Sequence, residues 1–203
     1  MRLMFSSTRL CSTPQLFYTW KSVNELQQVI QPLCRLVKAH IDIGHEYIRP
    51  NDYSEGIEDL LRGISNVQSL YLSLEFIEAI RSPDCQMPKF HSLTHLEIGD
   101  SGGYVDDLSV LWAMLPKLLK NSPRLGTLVF DQGGSNAPPG QHYPHSLPPC
   151  FLFHLKEIEI RGFEGSMEDL SLVEHFLSNA KFLEKVTLRY ANSGKEWTIR
   201  NTK

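Results

Sequence analysis

At 203 residues the chain is long enough for one or two ordinary domains, and 41% hydrophobic with 21% charged residues is a globular composition. A formal net charge of −3 removes the electrostatic case for general nucleic-acid binding. No stretch reaches the roughly 18–20 apolar residues of a membrane-spanning helix, and the N-terminal apolar run is too short for a signal peptide. The cysteines Cys11, Cys34, Cys85 and Cys150 lie far apart with no CxxC spacing, and no Asn-x-Ser/Thr acceptor occurs. These features predict an intracellular protein, cytoplasmic or nuclear, with reduced, buried thiols.

In chain order, Gln15–Trp20 reads as a strand after Pro14. Leu26, Val29, Ile30, Leu33, Leu36 and Val37 recur at helical spacing behind Ser22 and Glu25, a capping-box pair, although Pro32 interrupts them. From there one apolar triplet, apolar-x-x-apolar-x-apolar, returns six times. It is Leu36–Ala39–Ile41, Val67–Leu70–Leu72, Leu93–Leu96–Ile98, Leu125–Leu128–Phe130, Leu155–Ile158–Ile160 and Leu183–Val186–Leu188. The starts lie 31, 26, 32, 30 and 28 residues apart, at and just above the leucine-rich-repeat range of about 20–29. Each triplet predicts a short strand whose second and third apolar residues share one face.

Helical periodicity separates several triplets. Ile57, Leu60, Leu61 and Ile64 form one stripe. Leu108, Leu111, Trp112, Leu115, Leu118 and Leu119 form another, with Asp106 and Asp107 at its start, Lys117 and Lys120 at its end, and Pro116 set to kink or shorten it. Leu170, Val173, Phe176, Leu177 and Ala180 form a third, headed by Ser166 and Asp169 at capping-box spacing. Residues 99–106 and 131–149 are rich in glycine and proline and read as loops, the second long enough to project.

Strand, turn, helix, turn, strand is the alternation that gives parallel pairing. One such unit cannot bury its own apolar face, so the copies must stack. The expected fold is therefore an α/β leucine-rich-repeat solenoid, a curved parallel sheet inside and helices outside. Positions alternating with the buried pair face the concave surface: Lys38, His40 and Asp42; Ser69, Tyr71 and Ser73; His95, Glu97 and Gly99; Thr127, Val129 and Asp131; Glu157, Glu159 and Arg161; Lys185, Thr187 and Arg189. From these rows the candidate protein-binding set is Tyr71, His95, Glu97, Val129, Glu157, Glu159, Arg161, Lys185 and Arg189, with Tyr71 as an aromatic anchor. Arg161, Lys185 and Arg189 would fall together and suit a phosphate or an acidic side chain. The competing reading is that these charges keep the face soluble and pair across strands.

The sequence makes no case for catalysis or for a cofactor. His91 and His95 are four apart, but Ser92 follows His91, so HExxH is absent, and His142 and His145 have no cysteine or carboxylate cluster beside them. GxGxxG, GxxxxGK[ST] and G-x-S-x-G motifs are also absent. A non-enzymatic interaction surface, free of metal and cofactor, is the expectation.

The C-terminal stretch carries a recognisable signature: Cys150, His154-Leu155-Lys156, Gly162-Phe163-x-Gly165, Phe176-Leu177-x-Asn179-Ala180 and Leu183-Glu184-Lys185. It resembles the FBD domain of plant F-box/leucine-rich-repeat proteins, and Leu36–Gly44 and Asn121–Phe130 look like repeats of that family. The resemblance implies a repeat region over 1–146 and an FBD-like module over 147–203. It also implies an unidentified protein substrate held by the repeats, in the manner of the substrate-recognition part of a cullin-based ubiquitin ligase. Two departures mark the pattern. No F-box element precedes the repeats, so a ligase adaptor is a partner only if an F-box is supplied elsewhere, and only Ala191–Lys203 follow Tyr190. The alternative expectation is a truncated, F-box-less paralogue or gene-model fragment that acts as a competitor or has no function.

Overall fold

The computed structural model describes residues 15–20, 36–43, 54–81, 85–99, 109–131, 148–190 and 194–200. Residues 26–35 of the sequence-predicted helix and most of both glycine- and proline-rich loops lie outside them, as do Cys11, Cys34, His142 and His145, and the helix's expected last residues, Leu36 and Val37, are not helical but lead into a strand.

Among the described residues eight strands form one open sheet in sequence order: β1 (Gln15–Trp20), β2 (Lys38–Ile43), β3 (Ser69–Ser73), β4 (His95–Gly99), β5 (Thr127–Asp131), β6 (Glu157–Phe163), β7 (Lys185–Tyr190) and β8 (Glu196–Arg200). Pairing is parallel from β1 through β7, and β8 returns antiparallel to β7. The last strand corrects the expectation of a wholly parallel sheet. Gly194, just before it, has a left-handed φ of 60°, and the antiparallel return makes this end of the sheet a hairpin and not a crossover.

The triplets set the register. Ala39, Leu70, Leu96, Leu128, Ile158 and Val186 are aligned across β2–β7, and so are Ile41, Leu72, Ile98, Phe130, Ile160 and Leu188. Both rows are buried. The leading residue of each triplet from Val67 onward is buried too, just before its strand. At each step one backbone carbonyl takes two N–H groups of the following unit. Val37 O accepts from Gln68 and Ser69, Gln68 O from Thr94 and His95, and Thr94 O from Gly126 and Thr127. Gly126 O accepts from Lys156 and Glu157, and Lys156 O from Glu184 and Lys185. The repeat thus carries its own backbone splice as well as its apolar rows.

Among the described residues five helices connect strands: α1 (Ser54–Gly63), α2 (Leu74–Ala79), α3 (Ser109–Lys120), α4 (Pro149–Phe153) and α5 (Met167–Asn179). Their apolar residues join the buried strand rows in a single core, so the helices cover one face of the sheet and leave the other polar. The stripes at Ile57–Ile64 and Leu170–Ala180 fall on α1 and α5 as periodicity predicts, although Leu170 itself is exposed. Pro116 lies inside α3 without ending it. α2 and α4 have too few residues to show a helical period in the sequence.

α5 begins with a complete capping box. Ser166 Oγ accepts from Asp169 N at 3.1 Å, and Asp169 Oδ2 accepts from the backbone N–H groups of Glu164, Gly165 and Ser166 at 3.0, 3.0 and 3.3 Å. Two left-handed glycines feed this turn: Gly162 (φ 75°) breaks the β6–β7 register, and Gly165 (φ 81°) leads into the cap. The register break turns Phe163 inward, where its ring meets Tyr190 edge-on at 5.3 Å.

Candidate protein-binding face

The polar face of the sheet is assembled by the same register, one residue out of step with the core. Its first row runs Lys38, Ser69, His95, Thr127, Glu157, Lys185 and Arg200. The middle row runs His40, Tyr71, Glu97, Val129, Glu159, Thr187 and Thr198. The third runs Ser73, Gly99, Asp131, Arg161, Arg189 and Glu196. All nine residues singled out in the sequence lie on this lattice.

Its centre is Arg161. Nε donates to Glu159 Oε1 at 2.7 Å, and one terminal nitrogen donates to Glu97 Oε1 at 2.5 Å and Asp131 Oδ2 at 3.0 Å. Burial opposes the charge on this guanidinium, but the three carboxylates outweigh that cost and raise its pKa. Glu159 Oε1 also takes Arg189 Nε at 2.7 Å, and Arg189 reaches Glu196 Oε2 at 3.4 Å. Partial burial pushes the Glu159 carboxyl upward, and the two arginines overcome this and hold its pKa below the ordinary range. Arg161 and Arg189 therefore face Glu97, Asp131, Glu159 and Glu196. A basic cluster left open for phosphate is not what the fold assembles. Sequence spacing brought the cations together, but only the register shows that carboxylates from β4, β5, β6 and β8 surround them.

Val129 is also placed differently from a surface contact, being only 2% exposed. It sits in register between Glu97 and Glu159, and the guanidinium that joins those two carboxylates crosses β5 above it. Thr187, its counterpart on β7, is similarly buried. Glu157 is exposed and Lys185 half-buried at the end of the first row.

Toward β2 the face becomes aromatic. The His40 and Tyr71 rings stack at 3.9 Å, within 3° of parallel. Burial lowers the His40 pKa, opposed by Asp42 and Glu97, which favours the neutral ring in the stack. His95 Nε2 lies 3.8 Å from Glu97 Oε2. Gly99 makes room here: a Cβ at that position would lie 3.0 Å from Asp131 Cβ and 3.2 Å from the Tyr71 hydroxyl. The sequence puts His40 in the polar rows, but its stacking on Tyr71 follows only from the β2–β3 register.

Among the described residues no group of three or more His, Cys, Asp or Glu side chains is arranged to hold a metal ion, and no helix is long and apolar enough to cross a membrane. Cys85 and Cys150 are buried free thiols. Burial raises both pKa values, that of Cys150 to about 12.

The signature residues of the C-terminal part lie mostly in the core and its turns, not on the polar face. Cys150 is buried under the Leu119 carbonyl, and Phe176 packs on Phe130 and Phe151. Asn179 Nδ2 donates to the His175 carbonyl at 2.8 Å. Residues 142–188 match the FBD family, so this part of the chain is an FBD domain.

Most of the chain is also similar to F-box/FBD/LRR-repeat proteins of Arabidopsis thaliana. One protein of that name is 33% identical over 179 residues, covering 81% of this chain and 39% of the relative. An F-box/LRR-repeat protein is 39% identical over 176 residues, covering 79% of this chain and 36% of the relative. A second is 32% identical over 145 residues, covering 68% and 30%. The chain spans well under half the length of each of these relatives. No solved structure matches it.

Proposed function

We propose that the chain is a non-enzymatic protein-interaction module: a leucine-rich-repeat solenoid over 1–146 continued by the FBD-like module over 147–203, binding a protein segment across the polar face of its sheet. The observation that carries this reading is the aligned lattice of polar and aromatic side chains on a face that no helix of the described residues covers. The stacked His40–Tyr71 pair offers an apolar platform beside Glu97 and His95. Around Arg161 and Arg189 carboxylates outnumber guanidiniums, so the segment best suited to this face carries a basic side chain. Glu157 and Lys185 border the same surface, and Val129 acts beneath it as a floor. The names of the relatives support a place among ubiquitin-ligase substrate receptors, in which this face holds the target.

The test compares proteins retained from Arabidopsis extract by the tagged wild-type chain, by Tyr71→Ala and by Arg124→Glu, an exposed change outside the lattice. Partners lost only with Tyr71→Ala support the face as the binding site. Equal recovery by all three overturns it. A core ligase subunit among the direct partners favours the receptor reading over that of a competitor.

A further inference from the structure

We propose that β8 is a self-complementary edge, and that two copies of this chain associate through antiparallel pairing of β8 with β8 about a twofold axis at Thr198.

The backbone decides which register is open. Tyr190 N donates to Lys195 O at 3.0 Å, and the β7–β8 register continues from that pair. Hydrogen-bonded and non-hydrogen-bonded pairs alternate in an antiparallel ladder. Residues 195, 197 and 199 therefore turn their N–H and C=O groups toward β7, and Glu196, Thr198 and Arg200 turn theirs to the edge that no strand of the described residues occupies. A second β8 can satisfy those groups only by setting even-numbered residues opposite one another. Among such registers, the one centred on Thr198 overlaps the whole strand and forms six backbone hydrogen bonds.

That same register matches the side chains. Glu196 of each copy faces Arg200 of the other, and Thr198 faces Thr198. On the opposite surface Trp197 faces Ile199, two large apolar side chains that are 62% and 39% exposed in one chain. In register they extend the buried rows ending in Leu188 and Val186, with no helix of the described residues over them. Arg200 gives a second reason. It lies directly opposite Lys185, a destabilising like-charge pair, and no carboxylate of the described residues lies within ion-pair distance of it. The partner's Glu196 would supply one. Opposed residues point to the same side, so the dimer would join two polar faces into one continuous surface. Nothing in this pairing depends on what that surface binds.

Light scattering during size-exclusion chromatography of the purified chain should give a concentration-dependent mass approaching twice the 23.2 kDa of one chain. Thr198→Pro removes an outward-facing N–H that one chain does not use, so it should leave a folded monomer. Arg200→Glu alone and Glu196→Arg alone, the latter also losing its in-chain ion pair with Arg189 and so checked for folding by circular dichroism, should each be monomeric, because like charges meet twice across the axis. Mixed together they should form a heterodimer, because every facing pair is then opposite in sign. A wild-type chain that stays monomeric at every concentration overturns the proposal. So does a dimer that survives Thr198→Pro, or two folded charge variants that fail to associate on mixing.

Discussion

Arg161 shows how one side chain can belong to the fold rather than to a ligand. Its guanidinium joins β4, β5 and β6 through Glu97, Asp131 and Glu159 and roofs Val129. Arg161→Met should cost about 1–3 kcal/mol, with partial solvent exposure of the network keeping it from the top of that range. Chemical denaturation checks this, and an unchanged midpoint would reduce the network to surface decoration. The sequence placed Arg161 and Arg189 on one face and offered pairing across strands as the competing reading, but the particular carboxylates were not legible, because three of the four come from strands other than β6. Cys150 gives a second residue-scale expectation. Its buried thiol, with a pKa near 12, should resist alkylation in the folded chain and react only on unfolding. Mass spectrometry of labelled native protein reads this directly.

At the scale of elements, α5 was the most legible helix, since Ser166 and Asp169 at the right spacing announce its start. The structure adds that Asp169 also gathers the N–H groups of Glu164 and Gly165, so it closes the whole turn after β6. Asp169→Ala leaves those donors without this acceptor and should destabilise the protein by about 1–3 kcal/mol. Hydrogen exchange should show the loss first at residues 164–170, and uniform protection there would contradict the assignment. α2 and α4 stayed hidden because five or six residues make barely more than one turn. β8 was hidden because nothing in Glu-Trp-Thr-Ile-Arg marks it as an edge strand instead of the start of another crossover.

Across the whole molecule, the single core makes the units interdependent. Leu128 is fully buried in the middle of its row, and Leu128→Asp would bury a charge with no partner there. A cost of about 4 kcal/mol or more is expected, a large share of a typical domain's stability of roughly 5–15 kcal/mol, with several units unfolding together. A native-like thermal transition for this variant would refute common packing of the rows.

Stability should also depend on pH in two steps. Burial lowers the pKa of both His40 and His175 from 6.5 in the folded state, so the unfolded chain binds more protons. Their contribution is complete above about pH 6.5 and is lost as pH falls through the lowered folded values. Glu159, also lowered from its ordinary value of 4.5, adds a further loss as pH falls below that value. Melting temperatures measured downward from neutral pH check the first step, which replacing both histidines by glutamine should flatten.

By itself the sequence determined the periodic skeleton. Apolar residues two apart choose a strand face, and their recurrence aligns neighbouring strands, so the buried rows and their polar counterparts could be written down before any coordinates. Only the tertiary structure decided how those polar residues meet. A charge has no period, and its partner lies one or two strands away in space but as much as 64 residues away in the chain, as Arg161 and Glu97 do. The same holds for the hairpin at the sheet's end, where the outward or inward turn of each backbone N–H depends on its pairing with β7.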